Sequence, residues 1–201
     1  MSARTATVTR TTPETSIRVT LDLDGIGKTA VKTGIGFLDH LIDALGRHAR
    51  FDMALTCEGD LQVDDHHTAE DCALALGEAL DRALGERRGV NRFGWALAPL
   101  DEALARAVVD LSGRPFSDVA LGLRREAIGG LACENVAHVL RSLATASRTT
   151  LHVDVLKGDN DHHRAEAAFK ATALALRQAA ARSGFDDVPS TKGTLGGSTR
   201  E

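Results

Sequence analysis

The stretch DHHTAE at residues 65–70 recurs as DHHRAE at residues 161–166. The two copies start 96 residues apart, which is close to half of the 201-residue chain, and five of their six positions match. They differ only at Thr68 and Arg164. A motif repeated at half the chain length predicts an internally duplicated fold with two similar halves.

The sequence around each copy of the motif is duplicated as well. Apolar residues follow each copy at intervals of three to four positions, which is typical of an amphipathic helix, and Gly184 would end the second helix. These residues are Cys72, Leu76, Leu80 and Leu84 in one half, and Phe169, Thr172, Leu176 and Ala180 in the other. A strand is predicted before each motif, at residues 53–63 and 150–156, and a helix before each strand, at residues 37–49 and 131–146.

Two β-hairpins are predicted in addition. Apolar positions alternate from residue 17 to residue 23, and residues 28–33 would pair with this strand across the turn DGIG. Residues 104–111 and 118–123 would pair in the same way across the turn SGRP. Each half therefore contains strands, a helix, a further strand and a second helix.

This order of elements predicts an α+β fold, in which each half has a small sheet with its helices on one face. The first repeat half is assigned to residues 1–92 and the second to residues 93–201, with the join near residues 85–99. The residues after Phe185 lack periodicity. They are therefore expected to form a loop and a C-terminal tail.

The composition excludes several classes of protein. Asp and Glu outnumber Lys and Arg, 28 to 24, and aromatic residues make up 3% of the chain with no Tyr, so nucleic acid is not an expected partner. No stretch approaches the roughly 18 consecutive apolar residues of a membrane span, so no membrane partner is expected. Cys57, Cys72 and Cys133 are too few and too widely spaced for a disulfide framework, which fits a cytoplasmic protein.

A histidine and a glutamate lie four residues apart in each motif. His66 precedes Glu70, and His162 precedes Glu166, by this interval, which places each pair on one face of a helix. An imidazole and a carboxylate so placed can bind the same metal ion. The alternative is a polar helix start whose acid interacts with the helix dipole. It explains one such motif more readily than a duplicated pair.

Four further histidines extend this candidate metal site. His67 and His163 lie about 100° around the helix from the first histidine of their motif, so each should serve a different ion, which another subunit could share. His40 and His138 are single histidines in the helices predicted before the motifs, where a structural role in the core is the alternative. The resulting eight ligands could hold two ions. Imidazole with carboxylate and no thiolate suits Mn²⁺, Fe²⁺ or Zn²⁺, and open octahedral positions favour Mn²⁺.

Four segments of the chain resemble the imidazoleglycerol-phosphate dehydratase family: GIGFLDHL, DDHHTAED, GDNDHHRAEAAFK and PSTKGTL, beginning at residues 34, 64, 158 and 189. The resemblance implies two similar α+β halves, a homo-oligomer of 24 subunits, and pairs of Mn²⁺ ions at the subunit interfaces, where the active sites lie. It also implies a hydro-lyase of histidine biosynthesis. This enzyme removes water from imidazole glycerol phosphate, a small phosphorylated imidazole, to give imidazole acetol phosphate. The eight candidate ligands match the metal-binding positions of the family.

The resemblance further implies roles for individual side chains. Glu14, Glu70 and Glu166 are the candidate catalytic carboxylates, with Glu14 as the proton carrier because the other two are committed to a metal ion. The implied substrate-binding residues are Glu14, Arg92, Arg114, Lys170, Ser190 and Lys192, of which the last two lie in the C-terminal tail. The side chains of Arg92, Arg114, Ser190 and Lys192 suit a phosphate group.

Two other functions share part of this pattern. Metal-dependent phosphoesterases also contain Asp-His-His triplets, but they need further aspartate-rich motifs near the N-terminus, where this chain offers only Asp22 and Asp24. A non-catalytic shell protein could use the same ligands for assembly alone. Such a protein would have no need of Arg92, Arg114 and Lys192.

Overall fold

The computed structural model describes residues 3–195, in which there are four helices and ten strands. The helices are α1 (Gly36–Ala49), α2 (His66–Leu84), α3 (Cys133–Ala146) and α4 (Asp161–Ala180). The strands of the first half are β1 (Thr5–Thr11), β2 (Thr15–Asp22), β3 (Thr29–Lys32) and β4 (Asp52–Gly59). Those of the second half are β5 (Phe93–Leu100), β6 (Ala103–Asp110), β7 (Phe116–Ala120), β8 (Ala127–Ile128), β9 (Leu131–Ala132) and β10 (Thr150–Lys157). The end of the predicted C-terminal tail, residues 196–201, lies outside the described residues.

Both halves have the same strand order, so the predicted duplication is confirmed. The first sheet runs β1-β2-β4-β3 and the second runs β5-β6-β10-β7. In each sheet the first two neighbouring pairs are antiparallel and the last pair is parallel. β8 and β9 form a separate small hairpin. The fold is the predicted α+β arrangement, although β5 occupies much of the segment assigned to the join.

The two predicted hairpins are wrong, although all four of their strands exist. β3 pairs in parallel with β4 and not with β2, and β7 pairs in parallel with β10 and not with β6. A helix joins the two strands of each parallel pair, as parallel neighbours require. The turn after β2 is also held to the start of β4, because the Asp52 carboxylate accepts the N–H groups of Ile26 and Lys28. The chain therefore passes β2 and reaches the far side of β4.

Around the two motifs, three predicted boundaries are displaced by at least two residues. The helix expected from residue 131 begins at Cys133, because Leu131 and Ala132 pair with β8 instead. The strand expected to reach residue 63 ends at Gly59. α4 ends at Ala180, before the predicted stop at Gly184. These differences shorten the elements without changing their order.

The four helices lie between the two sheets. α2 packs on β1 and β2 of the first sheet and on α3, which contacts β7 of the second sheet. α4 packs on β5 and β6 of the second sheet and on α1, which contacts β3 of the first sheet. Each sheet therefore has its helices on one face, as predicted. One continuous core of buried apolar side chains connects the two halves.

Gly94 in β5 lies against α4 without room for a side chain. A Cβ atom at this position would be 2.0 Å from the carbonyl oxygen of Ala175 and 2.8 Å from the backbone nitrogen of Ala179. Because the backbone of α4 would have to shift, we expect Gly94→Ala to destabilise the fold by about 1–3 kcal/mol. Thermal unfolding measures the effect. Gly36→Ala is the control, since a Cβ atom there meets no atom within 4 Å, and equal Tm values for the two variants would contradict the expectation.

No helix within residues 3–195 combines the length and the apolar character that a membrane span requires. Cys57, Cys72 and Cys133 are buried and carry free thiols. These thiols belong to the core, and none is part of the two side-chain groups that could hold a metal ion.

Candidate metal centres

Each repeated motif lies at the start of a helix, where a polar side chain just before the motif accepts a backbone N–H. The Asp64 carboxylate accepts the N–H of His66 at 2.8 Å where α2 begins. The Asn160 side chain accepts the N–H of His162 at 2.9 Å where α4 begins. These contacts satisfy N–H groups that the first turn of a helix leaves free. The motif side chains are therefore presented from ordered helix starts.

His66, Glu70 and His138 form a group that we call the first triad. Nε2 of His66 lies 3.4 Å from Oε2 of Glu70, and Nε2 of His138 lies 3.5 Å from Oε1. The two imidazole rings are stacked, with centroids 5.0 Å apart. Oδ1 of the buried Asn135 lies 3.0 Å from Nδ1 of His66, so the opposite nitrogen of that ring faces the glutamate. Each of the three side chains offers a ligand atom within 4.8 Å of the others.

His40, His162 and Glu166 form the second triad. Nε2 of His40 and Nε2 of His162 approach the same oxygen, Oε2 of Glu166, at 2.9 and 3.2 Å. The ligand atoms again lie within 4.8 Å of one another. The structure thus brings together the histidine and the glutamate of each motif. His138 joins the pair of the first motif, and His40 joins the pair of the second.

Each triad draws on both halves of the chain. α2 supplies two donors of the first triad, and α3 from the other half supplies His138. The second triad reverses this arrangement, with two donors from α4 and His40 from α1. The packing of α2 on α3 and of α1 on α4 creates both triads. The repeat pattern does not predict this exchange, because it shows only that each half contains one single histidine and one motif.

Lys170 forms an ion pair with the glutamate of the second triad. Its Nζ lies 2.7 Å from Oε1 of Glu166, one helical turn away on α4. Burial opposes ionisation of Glu166, but the hydrogen bonds from Lys170 and His40 outweigh it and lower the pKa of this carboxyl to about 2. Glu166 is therefore an anion near neutral pH. One of its oxygens faces Lys170, and the other faces both imidazoles.

His67 and His163 lie outside both triads. Each ring meets the ring of the preceding motif histidine edge-on, at 73° for His67 and 88° for His163, with centroids 6.2 and 6.1 Å apart. Nδ1 of His67 lies 3.0 Å from Oδ2 of Asp60, and Nδ1 of His163 lies 2.7 Å from Oε2 of Glu102. Oε1 of Glu14 lies 3.7 Å from Nε2 of His67. The candidate proton carrier therefore lies beside one of these two imidazoles.

The carboxylates beside His67 and His163 change the acidity of the rings. The pKa of each imidazole is raised, chiefly by the hydrogen bond to Asp60 at His67 and to Glu102 at His163. The pKa of Glu102 is lowered to about 2, first by the N–H of Asn160 and then by His163. Both rings are thus held at Nδ1 by an acceptor, and their Nε2 atoms make no hydrogen bond within residues 3–195.

The candidate phosphate-binding residues lie at the opposite end of the second sheet from the triads. The N–H of Arg92 donates to the carbonyl of Ala179 near the end of α4, whereas the second triad lies at the start of that helix. From Glu166 to Ala179 the helix runs for about 20 Å. Arg114 lies in the turn between β6 and β7 at the same end, where the N–H of Leu111 donates to the carbonyl of Arg92. A single chain therefore does not bring these arginines to a triad.

Arg92 connects the start of β5 to the segment that carries Ser190 and Lys192. Its guanidinium donates to Asp110 from Nε at 2.7 Å and from Nη2 at 3.1 Å. Its Nη1 donates to the carbonyl of Pro189 at 2.7 Å. The hydroxyl of the next residue, Ser190, accepts the N–H of Lys192 at 3.2 Å. Three of the four candidate phosphate-binding residues therefore belong to one connected group.

The donor atoms of both triads suit a divalent transition-metal ion. Each triad combines two imidazole nitrogens with one carboxylate oxygen, a set that binds Mn²⁺, Fe²⁺ or Zn²⁺ and offers no thiolate. No third group of this kind occurs in the part of the chain that the structure describes. Three protein donors leave coordination positions open for further ligands. The triads can therefore hold metal ions that also bind a substrate or a residue from elsewhere.

Comparison with known proteins assigns the chain to a family. The family model described as imidazoleglycerol-phosphate dehydratase matches residues 33–176, a stretch that includes both motifs. The chain belongs to the imidazoleglycerol-phosphate dehydratase family. Imidazoleglycerol-phosphate dehydratase of Saccharomyces cerevisiae is 51% identical over 220 residues, which cover 97% of this chain and 100% of that protein. The relative from Phytophthora nicotianae is 58% identical over 192 residues, which cover 96% of this chain but 42% of that longer protein.

A solved structure of the family has the same fold. Imidazoleglycerol-phosphate dehydratase from Pyrococcus furiosus superposes with a TM-score of 0.81 at 38% identity, covering 94% of this chain and 100% of that one. A dehydratase is a hydro-lyase, so the chain belongs to a family of enzymes that eliminate water. The duplicated architecture and the resemblance drawn from the sequence are both confirmed.

Three side chains that hold the motif histidines were not predicted from the sequence. Asn135 contacts His66, and Asp60 and Glu102 contact the second histidine of each motif. Only Glu102 had a recognisable signal. It occupies the turn after the first strand of its half, as Glu14 does in the other half. Glu102 is therefore recognisable in the sequence as the counterpart of Glu14 in the duplicated fold.

Proposed function

We propose that this chain dehydrates imidazoleglycerol phosphate in histidine biosynthesis with the help of two divalent metal ions, preferably Mn²⁺. The observation that carries the proposal is the pair of triads, each with two imidazoles and one carboxylate within 4.8 Å. Membership of the dehydratase family supports the reaction and its small phosphorylated substrate. The proposed ligands are His40, His66, His67, Glu70, His138, His162, His163 and Glu166.

The chain's own carboxylates have separate tasks in this proposal. A bound divalent ion would act as a Lewis acid and as a template for the substrate. Glu70 and Glu166 are ligands, so neither is free to carry a proton. Glu14 is the proton carrier, because its half-exposed carboxylate lies 3.7 Å from Nε2 of His67 without belonging to a triad. A carboxylate held beside the substrate can take a proton from carbon.

The complete active site is proposed to lie between subunits of a homo-oligomer, with 24 subunits as the resemblance implies. Two observations support a composite site. The proposed phosphate-binding residues Arg92, Arg114, Ser190 and Lys192 lie at the far end of the second sheet from the triads. His67 and His163, which are proposed as ligands, also lie outside both triads. A neighbouring subunit could bring its phosphate-binding residues to the triads of this chain, and its metal ligands to the phosphate-binding residues of this chain.

Co-assembly of two impaired variants tests the composite site. Glu14→Gln removes the proton carrier at one end of the chain, and we expect it to lower kcat by about 10²–10⁴-fold. Arg114→Ala removes a phosphate-binding charge at the other end and should raise KM. Oligomers that contain both variants should recover activity, because some sites combine an intact Glu14 from one subunit with an intact Arg114 from another.

The control mixes Glu14→Gln with the double variant that carries both substitutions. No site in that mixture contains an intact Glu14, so activity should stay at the level of Glu14→Gln alone. If the first mixture is no more active than its two components, the site does not combine these residues across subunits.

Three further assignments belong to the same proposal. Residues 1–92 and 93–201 are taken as the two repeat halves, which agrees with the start of β5 at Phe93. A cytoplasmic location agrees with three free thiols. The phosphoesterase and the non-catalytic shell have no observation in their favour beyond the ligands that they would share with a dehydratase.

A further inference from the structure

The second histidine of each motif is held at Nδ1 by a carboxylate outside the motif. His67 contacts Asp60, with Nδ1 3.0 Å from Oδ2, and His163 contacts Glu102, with Nδ1 2.7 Å from Oε2. An ionised carboxylate can only accept a hydrogen bond. Nδ1 must therefore carry the proton in both rings. In a neutral ring this fixes Nε2 as the nitrogen with the free lone pair.

The two carboxylates come from different places in the duplicated fold. Asp60 directly follows β4, whereas Glu102 lies in the turn between β5 and β6. The counterpart of the second turn is the turn between β1 and β2, but there Oε1 of Glu14 lies 3.7 Å from Nε2 of His67, and Asp60 is the residue that contacts Nδ1. Each half thus supplies the same contact from its own position. A contact that was merely inherited through duplication would come from the same position twice.

The free Nε2 atoms face an accessible side of the molecule. Asp101, which is 74% exposed, lies 3.8 Å from Nε2 of His163. The corresponding neighbour of His67 is Glu14, which is 51% exposed. Neither distance is a hydrogen bond. Both nitrogens can therefore accept a bond from outside the chain.

We propose that Asp60 and Glu102 are positioning residues, which fix the tautomer and the ring orientation of His67 and His163 so that each presents Nε2 to a metal ion. This inference rests on the proposed metal-dependent function. An acceptor on the second ring nitrogen of a metal-binding histidine orients the ring and strengthens the metal bond. The two carboxylates are assigned that task here, one in each half.

Glu102→Gln gives the sharpest test, because both oxygens of Glu102 are in use. Oε1 accepts the N–H groups of Asp159 and Asn160 at 3.1 and 2.8 Å, and Oε2 faces His163. In the variant, the amide oxygen should stay with the backbone donors, and the NH₂ group should then donate to Nδ1. This would move the proton of His163 to Nε2 and block the metal-binding nitrogen.

We expect Glu102→Gln to weaken Mn²⁺ binding by about 10–100-fold at the centre that uses His163. Titration of the full-length oligomer with Mn²⁺, followed by electron paramagnetic resonance of the free ion, measures the affinity. Nitrogen-15 NMR of histidine-labelled, metal-free protein measures the tautomer of His163. Asp159→Asn is the control, since it removes one exposed negative charge near the start of α4 without touching the ring.

Asp60→Ala and Asp60→Asn are two variants that test the inference independently, in the other half of the chain. Asp60→Ala removes the acceptor beside His67 and should weaken Mn²⁺ binding by about 10-fold or more, whereas Asp60→Asn keeps an oxygen that can accept from Nδ1 and should lose less. Glu58→Ala is the control, since it removes an exposed acid from β4, the strand that Asp60 follows.

The outcomes separate this inference from the proposed function. Unchanged Mn²⁺ affinity and an unchanged His163 tautomer in Glu102→Gln, together with unchanged affinity in Asp60→Ala, would overturn the positioning role even if the enzyme needs metal. A wild-type chain that is fully active without metal would instead overturn the proposed function. Weaker binding with a switched tautomer supports the inference.

Discussion

Removal of divalent ions with a chelator is expected to abolish the dehydration of imidazoleglycerol phosphate, and added Mn²⁺ is expected to restore it. Each triad places two imidazoles and a carboxylate within 4.8 Å of one another, so that all three could bind one ion. Lewis-acid stabilisation by a metal ion is worth several kcal/mol, so the rate should fall by about 1,000-fold or more. The measurement is the steady-state rate before chelation, after it, and after Mn²⁺ is returned.

Three controls make the chelation experiment decisive. Circular dichroism of the metal-free chain shows whether the fold has survived, and restoration by Mn²⁺ shows that the loss is reversible. Metal analysis of the chelated sample must confirm that less than one ion in a thousand sites is left, which matches the expected fall in rate. Full activity in such a sample would end the metal hypothesis.

Replacement of a triad histidine is expected to impair both catalysis and assembly. His162→Ala leaves the second triad with His40 and Glu166, and His66→Ala leaves the first with Glu70 and His138. Two donors hold an ion less tightly than three, and an ion shared between subunits could no longer join them. Activity should fall to near that of the chelated enzyme. Sedimentation should show smaller particles.

His152→Ala is the matched control for these variants. His152 is an exposed histidine on β10, and its ring contacts Phe116 and no triad residue. It should retain metal content and turnover. If His66→Ala and His162→Ala are both as active as this control, the ligand assignment is wrong.

The sequence contains enough information to predict one helix face in each half. A histidine four residues before a glutamate must share that face once the helix forms, so the pairs His66 with Glu70 and His162 with Glu166 followed directly. The rotation of His67 and His163 away from these pairs followed from the same geometry. The internal duplication was equally accessible, because the motif repeats at half the chain length.

The contacts between halves could not be predicted in the same way. The pairing of β3 with β4 depends on a helix that crosses over between them, whereas alternating apolar residues are equally compatible with a hairpin. Likewise, the placement of His138 beside Glu70 depends on how α2 packs on α3. Periodicity reports which face of an element is buried, but it does not identify the element that covers it.

The phosphate-binding assignments show a third limit. Arg92 and Arg114 carry no local pattern that distinguishes a binding residue from a turn residue, and only resemblance to a family marked them. The structure adds that Arg92 is bonded to Asp110 and to the segment carrying Ser190. Long-range contacts of this kind have no counterpart in short sequence motifs.

The exchange of donors between halves has a consequence for the origin of the chain. A polypeptide of half this length could not complete a triad on its own, because the third donor always comes from the opposite half. Two copies of such an ancestor, related by a twofold axis, would complete both triads at once and would make them identical. Fusion of two such copies would leave the centres free to diverge, and the two triads of this chain do differ, with Lys170 bound to the glutamate of one and Asn135 beside a histidine of the other.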